Sequence, residues 1–322
     1  MSGCNHAQWQ PPHDYRPLER NSERQTWAVV ILTGLTMLVE IIAGYWFNSM
    51  ALLADGWHMA SHMVAIGLAA LAYLLARRYA ADQRFAFGTW KIEVLAGFTS
   101  ALLLVVVALF MIGESLSRLW SPVAIGFDAA LMVAVIGLLV NLLSAWLLRD
   151  QHDHGHGHGH DEHAHEHEHA SGGKDLNRHA AFIHVLTDAL TSVAAIIALL
   201  GGKFFGWSWL DPVMGIVGAL VSLVWARGLL RDTAKVLLDR EMDDPLVHRV
   251  REALQEVPDT EVADLHLWRV GRSQYSCILS LVTHQAHTAD HYKAALQGFP
   301  QLVHITVEVN RCDESAHLDH RQ

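Results

Sequence analysis

Three side chains in the stretch Leu52 to Leu68, LLADGWHMASHMVAIGL, are of types that bind metal ions: Asp55, His58 and His62. They stand at i, i+3 and i+7, so a helix carries them on one face. Their neighbours are apolar, and ionisable groups in such surroundings are expensive unless they meet partners or a wet cavity. A second stretch, His184-Val-Leu-Thr-Asp188, sets two more ligand-type side chains one turn apart among Ala, Ile, Leu and Val. Packed face to face, the two helices would supply His58, His62, His184 and Asp188, the four ligands that a tetrahedral divalent transition metal takes. A lone buried His is more often a hydrogen-bonded packing residue. Two i, i+4 pairs in one chain, with a His-rich segment between them, favour the metal and imply a metal-ion transporter.

Positioning these residues requires long helices. Six apolar segments, near Thr26–Phe47, Ala51–Leu75, Ile92–Leu116, Phe127–Leu148, Leu176–Leu200 and Leu210–Leu230, are each long enough to cross about 30 Å of hydrocarbon. At about 1.5 Å per residue, both ligand pairs lie roughly 10 to 18 Å into their spans, near mid-membrane. Asn48-Ser49 leaves room only for a turn, so the first two spans form an antiparallel hairpin. Basic residues mark the cytoplasmic side: Arg16, Arg20 and Arg24; Arg77, Arg78, Arg84 and Lys91; Arg149, Lys174 and Arg178; Arg227, Arg231 and Lys235. The opposite turns hold only Arg118 and Lys203, so both termini and the His-rich loop are expected in the cytoplasm.

Composition agrees with this class. Of 322 residues, 52% are hydrophobic and 17% charged, which is too apolar for an ordinary soluble protein. The net charge of -10 argues against nucleic acid as a partner. Three widely spaced cysteines, Cys4, Cys277 and Cys312, do not read as a disulfide framework. Residues 1–24 read as a polar tail, with no apolar core behind a basic start and hence no cleaved signal peptide. The 23 histidines cluster in the loop 151–173, where His152, His154, His156, His158, His160, His163, His165, His167 and His169 alternate with Gly and acidic residues. Neutral imidazoles suit Zn, Ni, Co and Cu, but a low-complexity segment fixes no single geometry, so the loop reads as a collector or buffer.

From 234 the chain turns soluble. Asp244-Pro245 reads as an N-cap followed by Pro at N1; Glu261–Val270 and Tyr275–Thr283 read as strands, Thr288–Leu296 as a helix and His304–Val309 as a last strand. The expected organisation is thus a tail (1–24), a six-span helical domain (25–233) and a C-terminal α+β domain (234–322) of order α-β-β-α-β, ferredoxin-like. In that domain His248, His266, His284, His287, His291 and His304 are candidate regulatory ligands, with His266 and His304 foremost.

The pieces SMALLADGWHMASH, RFAFGTWKIEVLAGF, ESLSRLWSP, NLLSAWLL, HVLTDALTSV, LDPVMGIV, DLHLW and HITVEV, in that order along nearly the whole chain, resemble the cation diffusion facilitator family. The resemblance implies six spans with cytoplasmic ends in a bacterial inner membrane, a homodimer, and divalent-metal efflux coupled to proton entry. It implies a transport site on His58, His62, His184 and Asp188, with metal as substrate and no cofactor. Zinc-transporting members commonly carry Asp, or His then Asp, in span two. The two His here are more similar to the cobalt and nickel branch, the DmeF-like transporters; export of zinc and cadmium is the alternative. A divalent ion with three neutral His and one Asp leaves a net charge of +1, so Asp55 or Asp211 is expected to offset it as a second-shell or alternate ligand. A metalloprotease would need H-E-x-x-H; Met59 and Val185 follow the key histidines instead, and the chain is not expected to be an enzyme. A metal store or sensor acting through the His-rich loop, and a passive channel, are the other readings.

Overall fold

The computed structural model describes the backbone of residues 24–80, 82–149 and 173–312, and the side chains of residues 31–61, 63–80, 82–143 and 189–312. Six long helices come first: α1 (Arg24–Trp46), α2 (Met50–Arg78), α3 (Lys91–Trp120), α4 (Phe127–Arg149), α5 (Gly173–Phe205) and α6 (Leu210–Leu237). Of these α2, α3 and α6 are long and apolar enough to cross a membrane, and Ile31–Trp46, Phe127–Leu143 and Ala189–Phe205 are shorter apolar helical stretches. Helices outrun the apolar segments: α6 continues two turns past Leu230 through Arg231 and Lys235, since loss of hydrophobicity does not end a helix that lacks a breaker. It stops where Asp239 takes a left-handed φ of 53° and Arg240 N bonds back to Lys235 O.

The contacts divide the chain into two compact units. The first joins 18–71 with 96–232, and α2 is its centre. Met50, Ala51, Leu52 and Leu53, successive residues of the first turn, are each at most 2% exposed. They pack respectively on α3 and α6, on α5, on α1, α4 and α5, and again on α3 and α6. Small residues make this crowding possible: Ala43, Ala130, Ala134, Ala195 and Ala198 line the contacts, and a Cβ added at Gly44 would come within 2.7 Å of Leu53. The α1–α2 turn is equally tight. Asn48 sits at φ 56°, Ser49 N closes on Gly44 O, and Ser49 Oγ accepts from Leu52 N as the N-cap of α2. Outside, Leu35, Val39, Ile42, Val106, Leu109, Phe110, Leu139 and Val224 are exposed. An apolar exterior around a bundle is what an integral membrane protein presents to lipid.

The two cations on the sparsely charged turns are both paired. Arg118 bonds Glu114 and donates to Asn48 O, and Lys203 pairs with Asp128 at 2.5 Å.

The second unit contains 72–95 and the chain from Thr233 onward. Here α7 (Pro245–Gln255) and α8 (Ala289–Ala295) cover a sheet of order β1 (Thr260–Gly271), β2 (Gln274–Thr283), β3 (Leu302–Arg311), β1 antiparallel and β3 parallel to β2. The α-β-β-α-β order read from the sequence is therefore found. Asp244 caps α7 by accepting from Leu246 N. Leu246, Val250 and Leu254 of α7, Leu265 and Leu267 of β1, Cys277, Leu279 and Leu281 of β2 and Tyr292 and Leu296 of α8 form its core. Burial alone pushes the Cys277 thiol up to about 12, so it supplies no thiolate for metal. Glu241, 1% exposed, accepts from Arg269 N and faces its guanidinium as an ion pair at 3.2 Å without an aligned hydrogen bond. Arg269 donates in turn to Tyr275 Oη, and that hydroxyl to Asp244. This chain pins the segment after α6 to the sheet. Burial, with the Asp244 and Glu241 carboxylates adding to it, pushes Tyr275 up to about 12, and burial lifts Glu241 above the usual range despite Arg269.

Candidate metal centre

Of the residues in the proposed set, His58 is the one whose side chain is described. It is 6% exposed on α2, and its ring meets the indole of Trp225 on α6 edge-on, with centroids 5.8 Å apart. One turn before it lies Asp55, 3% exposed. Its carboxylate accepts from Thr191 Oγ1 at 3.0 Å and from Ser192 Oγ at 2.5 Å, both on α5. These bonds answer the burial of a charged group, since a carboxylate out of water needs donors. They also join the two helices that carry the candidate ligands. His62 follows His58 by one turn of α2; Asp188 and His184 precede Thr191 by about one and two turns of α5. The side chains of His62, His184 and Asp188 lie outside the described residues.

Several contacts fix the direction of this pairing. Ala51 packs against Ala195 and Ala198, Leu52 against Leu199, and Asp55 bonds 191 and 192. Positions advancing along α2 meet positions receding along α5, so the helices are antiparallel.

Asp211 is placed differently from the expectation. Its carboxylate accepts from Ser49 Oγ at 2.6 Å, Met50 N at 2.6 Å and Ala51 N at 3.1 Å. Both oxygens are thus committed to capping the head of α2. The reason is general: a helix N-terminus exposes unpaired N–H groups, and α2 begins inside the bundle, where water cannot satisfy them. Asp211 acts at that end of α2 and not as a ligand beside His58.

The nine loop histidines, His152 to His169, lie outside the described residues. Among the described residues the tail histidines form no cluster of three or more. His248 pairs with Glu252, His266 with Asp264 at 2.9 Å, and His284 with Asp259 at 2.8 Å. His266 and His304 share the face of the sheet opposite the core side chains Leu265, Leu267, Cys277 and Leu279, but on β1 and β3 with β2 between them; His304 stacks edge-on against Phe87. Two strand spacings separate them by roughly 10 Å at the backbone. His287 and His291 stack on each other at 4.3 Å. Among the described residues no group of three or more His, Cys, Asp or Glu side chains is close enough to hold a metal.

Sequence reasoning did not mark Thr191, Ser192 or Trp225. The first two had a signal: they follow Asp188 by three and four residues, so helical spacing sets them on its face. Trp225 had none, because nothing local to α6 shows which helix its indole meets.

A buried acid–imidazole face on a central helix, hydrogen-bonded to a second helix of a lipid-exposed bundle and followed by a small α+β tail, defines a helical membrane protein with a polar face enclosed inside its bundle. The cation efflux transmembrane domain family matches residues 26–238, and the chain belongs to this family, the cation diffusion facilitators. It is 32% identical to the zinc transporter ZitB of Escherichia coli over 91% of this chain and 88% of that protein. It is 30% identical to the "Cadmium, cobalt and zinc/H(+)-K(+) antiporter" of Bacillus subtilis over 77% and 74%, and 29% identical to the metal cation efflux system protein CzcD of Cupriavidus metallidurans over 93% and 90%.

Proposed function

We propose that this protein exports divalent transition-metal ions in exchange for protons, through a four-ligand site of His58, His62, His184 and Asp188. The observation that carries the reading is the pair of hydrogen bonds from Thr191 and Ser192 to Asp55. In an antiparallel pair bolted at 55 and 191–192, one further turn along each helix brings positions 58 and 188 level, and the next turn brings 62 and 184 level. That register lets imidazoles and a carboxylate from two helices surround one ion. Asp55 sets the register and lends its negative charge to a dication held by three neutral imidazoles.

Binding requires deprotonated ligands, so metal and protons compete for the same groups. Histidine titrates near neutrality and can exchange one for the other at physiological pH. Alternating access around the fixed site, in six spans with both ends cytoplasmic, moves the ion outward across the inner membrane as protons return. The His-rich loop gathers metal at the entrance. In the tail, each His–carboxylate pair offers half a coordination sphere, which a second copy of the chain completes in a homodimer.

Cobalt and nickel are the proposed cargo, on the two histidines of α2 and the DmeF-like resemblance, with zinc also accepted. A zinc and cadmium exporter is the second reading, favoured by the name of the zinc transporter ZitB, while the name of the Bacillus antiporter carries cadmium, cobalt and zinc together. Uptake of Co, Ni, Zn and Cd into proteoliposomes, with and without a pH gradient, separates the two. The reading requires that a gradient accelerate uptake and that the double variant H62A/D188A abolish it; full transport by that variant would overturn the site.

A further inference from the structure

One buried ionisable group of the bundle has no part in the cycle described so far. Glu40 of α1 is 0% exposed, and neither of its carboxyl oxygens has a hydrogen-bond partner among the described residues. Asp55 and Asp211, by contrast, each accept from at least two donors. Glu40 is wedged between two glycines. A Cβ added at Gly56 of α2, the residue after Asp55, would come within 3.3 Å of Glu40 Cβ, and one added at Gly137 of α4 would collide with Glu40 Oε1. Both packed helices thus make room for this side chain, and it lies at the level of Asp55 and within a turn of His58.

The charged group it faces from α2 is Asp55. From α4 it meets Gly137, and the ionisable side chain within the described length of α4 is Asp128, nine residues away and paired with Lys203. No cation among these groups balances a Glu40 anion. An anion without donors in a membrane interior costs several kcal/mol, and two adjacent carboxyls do not readily ionise together. The neutral acid is the form this place accepts, until a positive charge arrives nearby.

Resting on the exchange reading above, we propose that Glu40 is a proton-carrying group of the transport cycle, holding a proton while the site is free of metal and yielding it when a divalent cation binds beside His58. The O–H bond of the acid breaks, the carboxylate keeps the electron pair and the proton leaves to water through whichever side is open; the reverse step reloads it.

The test counts protons. Calorimetric titration of purified full-length protein with zinc, in buffers of different ionisation enthalpy, gives the protons released per ion bound; a trapped pH dye reports them in proteoliposomes. The isosteric neutral variant E40Q is expected to keep its thermal midpoint within about 3 °C, to release roughly one proton fewer per zinc, and to show a flatter dependence of transport on pH. Proton release and pH profile equal to wild type would overturn the proposal. Should E40Q fail to fold, infrared difference spectra carry the test: zinc must remove a neutral-carboxyl C=O band in the wild type, and E40D must shift that band. A carboxyl band untouched by zinc would sink the idea equally. Failure of the wild type itself to exchange protons for zinc would instead remove the antiport reading.

Discussion

Asp55 shows how one buried side chain ties two helices together. Its two oxygens accept from the Thr191 and Ser192 hydroxyls of α5, so removing it takes away two bonds that tie α2 to α5 at this level. D55N keeps an acceptor and loses the charge; it is expected to weaken cobalt or zinc affinity about 10- to 100-fold. D55A and S192A should be strongly non-additive in a double-mutant cycle on metal affinity. Additive effects would mean that the bond does not transmit to the site. In the tail, Asp259 sits at φ 56° and takes hydrogen bonds from the His284 ring and backbone N, which hold its carboxyl below the usual range. A lowered carboxylate contributes stability that is present above its unfolded value and is lost as pH falls through the lowered folded value. D259N preserves a residue that tolerates the left-handed region and removes the ionisation. Its thermal midpoint should therefore fall less steeply than that of the wild type as pH drops below about 4; parallel curves would show that this pair does not couple to folding.

Among the elements, α2 determines most. Its first turn is buried on every side and its donors end on Asp211 and Ser49. D211A strands two backbone N–H groups and a hydroxyl, each worth about 1 to 3 kcal/mol when left unpaired in the interior. The detergent-solubilised protein should lose several degrees of thermal midpoint, and transport should fall with the loosening of α2 against α6. A midpoint unchanged in D211A would show that water reaches the head of α2. This helix was legible in the sequence as an apolar run with a metal-type face, because periodicity is local. That its N-terminus is capped by a residue 161 positions away in the chain was not, because Asp211-Pro212 looks like the ordinary start of its own helix.

For the molecule as a whole, the division of labour runs through α2, α3 and α6, since the chain passes between the two compact units within them. In the tail unit Phe87, from the α2–α3 connection, meets Trp268 of β1 at 5.4 Å and His304 of β3 at 5.5 Å. F87A should destabilise this unit by about 1 to 2 kcal/mol and be coupled to W268A, as read by chemical denaturation of the full chain. Independent effects would show that the aromatic contact is idle. Deleting 151–170 tests the role of the His-rich segment: an exporter keeps vectorial transport with reduced capture at low metal, whereas a store loses its capacity.

By itself the sequence determined that long apolar helices carry two short clusters of His and Asp side chains, that a small domain of order α-β-β-α-β follows, and that Asp244 caps its first helix. Those features follow from hydrophobic period, cap chemistry and turn residues, which act over a few positions. The tertiary structure decided which faces meet: that Asp55 reaches Thr191 and Ser192, that Asp211 spends its oxygens on α2, that Glu40 is enclosed against Gly137, and that His266 and His304 stand on strands separated by a third. Each of those depends on the azimuth of one helix against another or on strand order. Both are set by the packing of the whole molecule, and no local spacing along the chain encodes them.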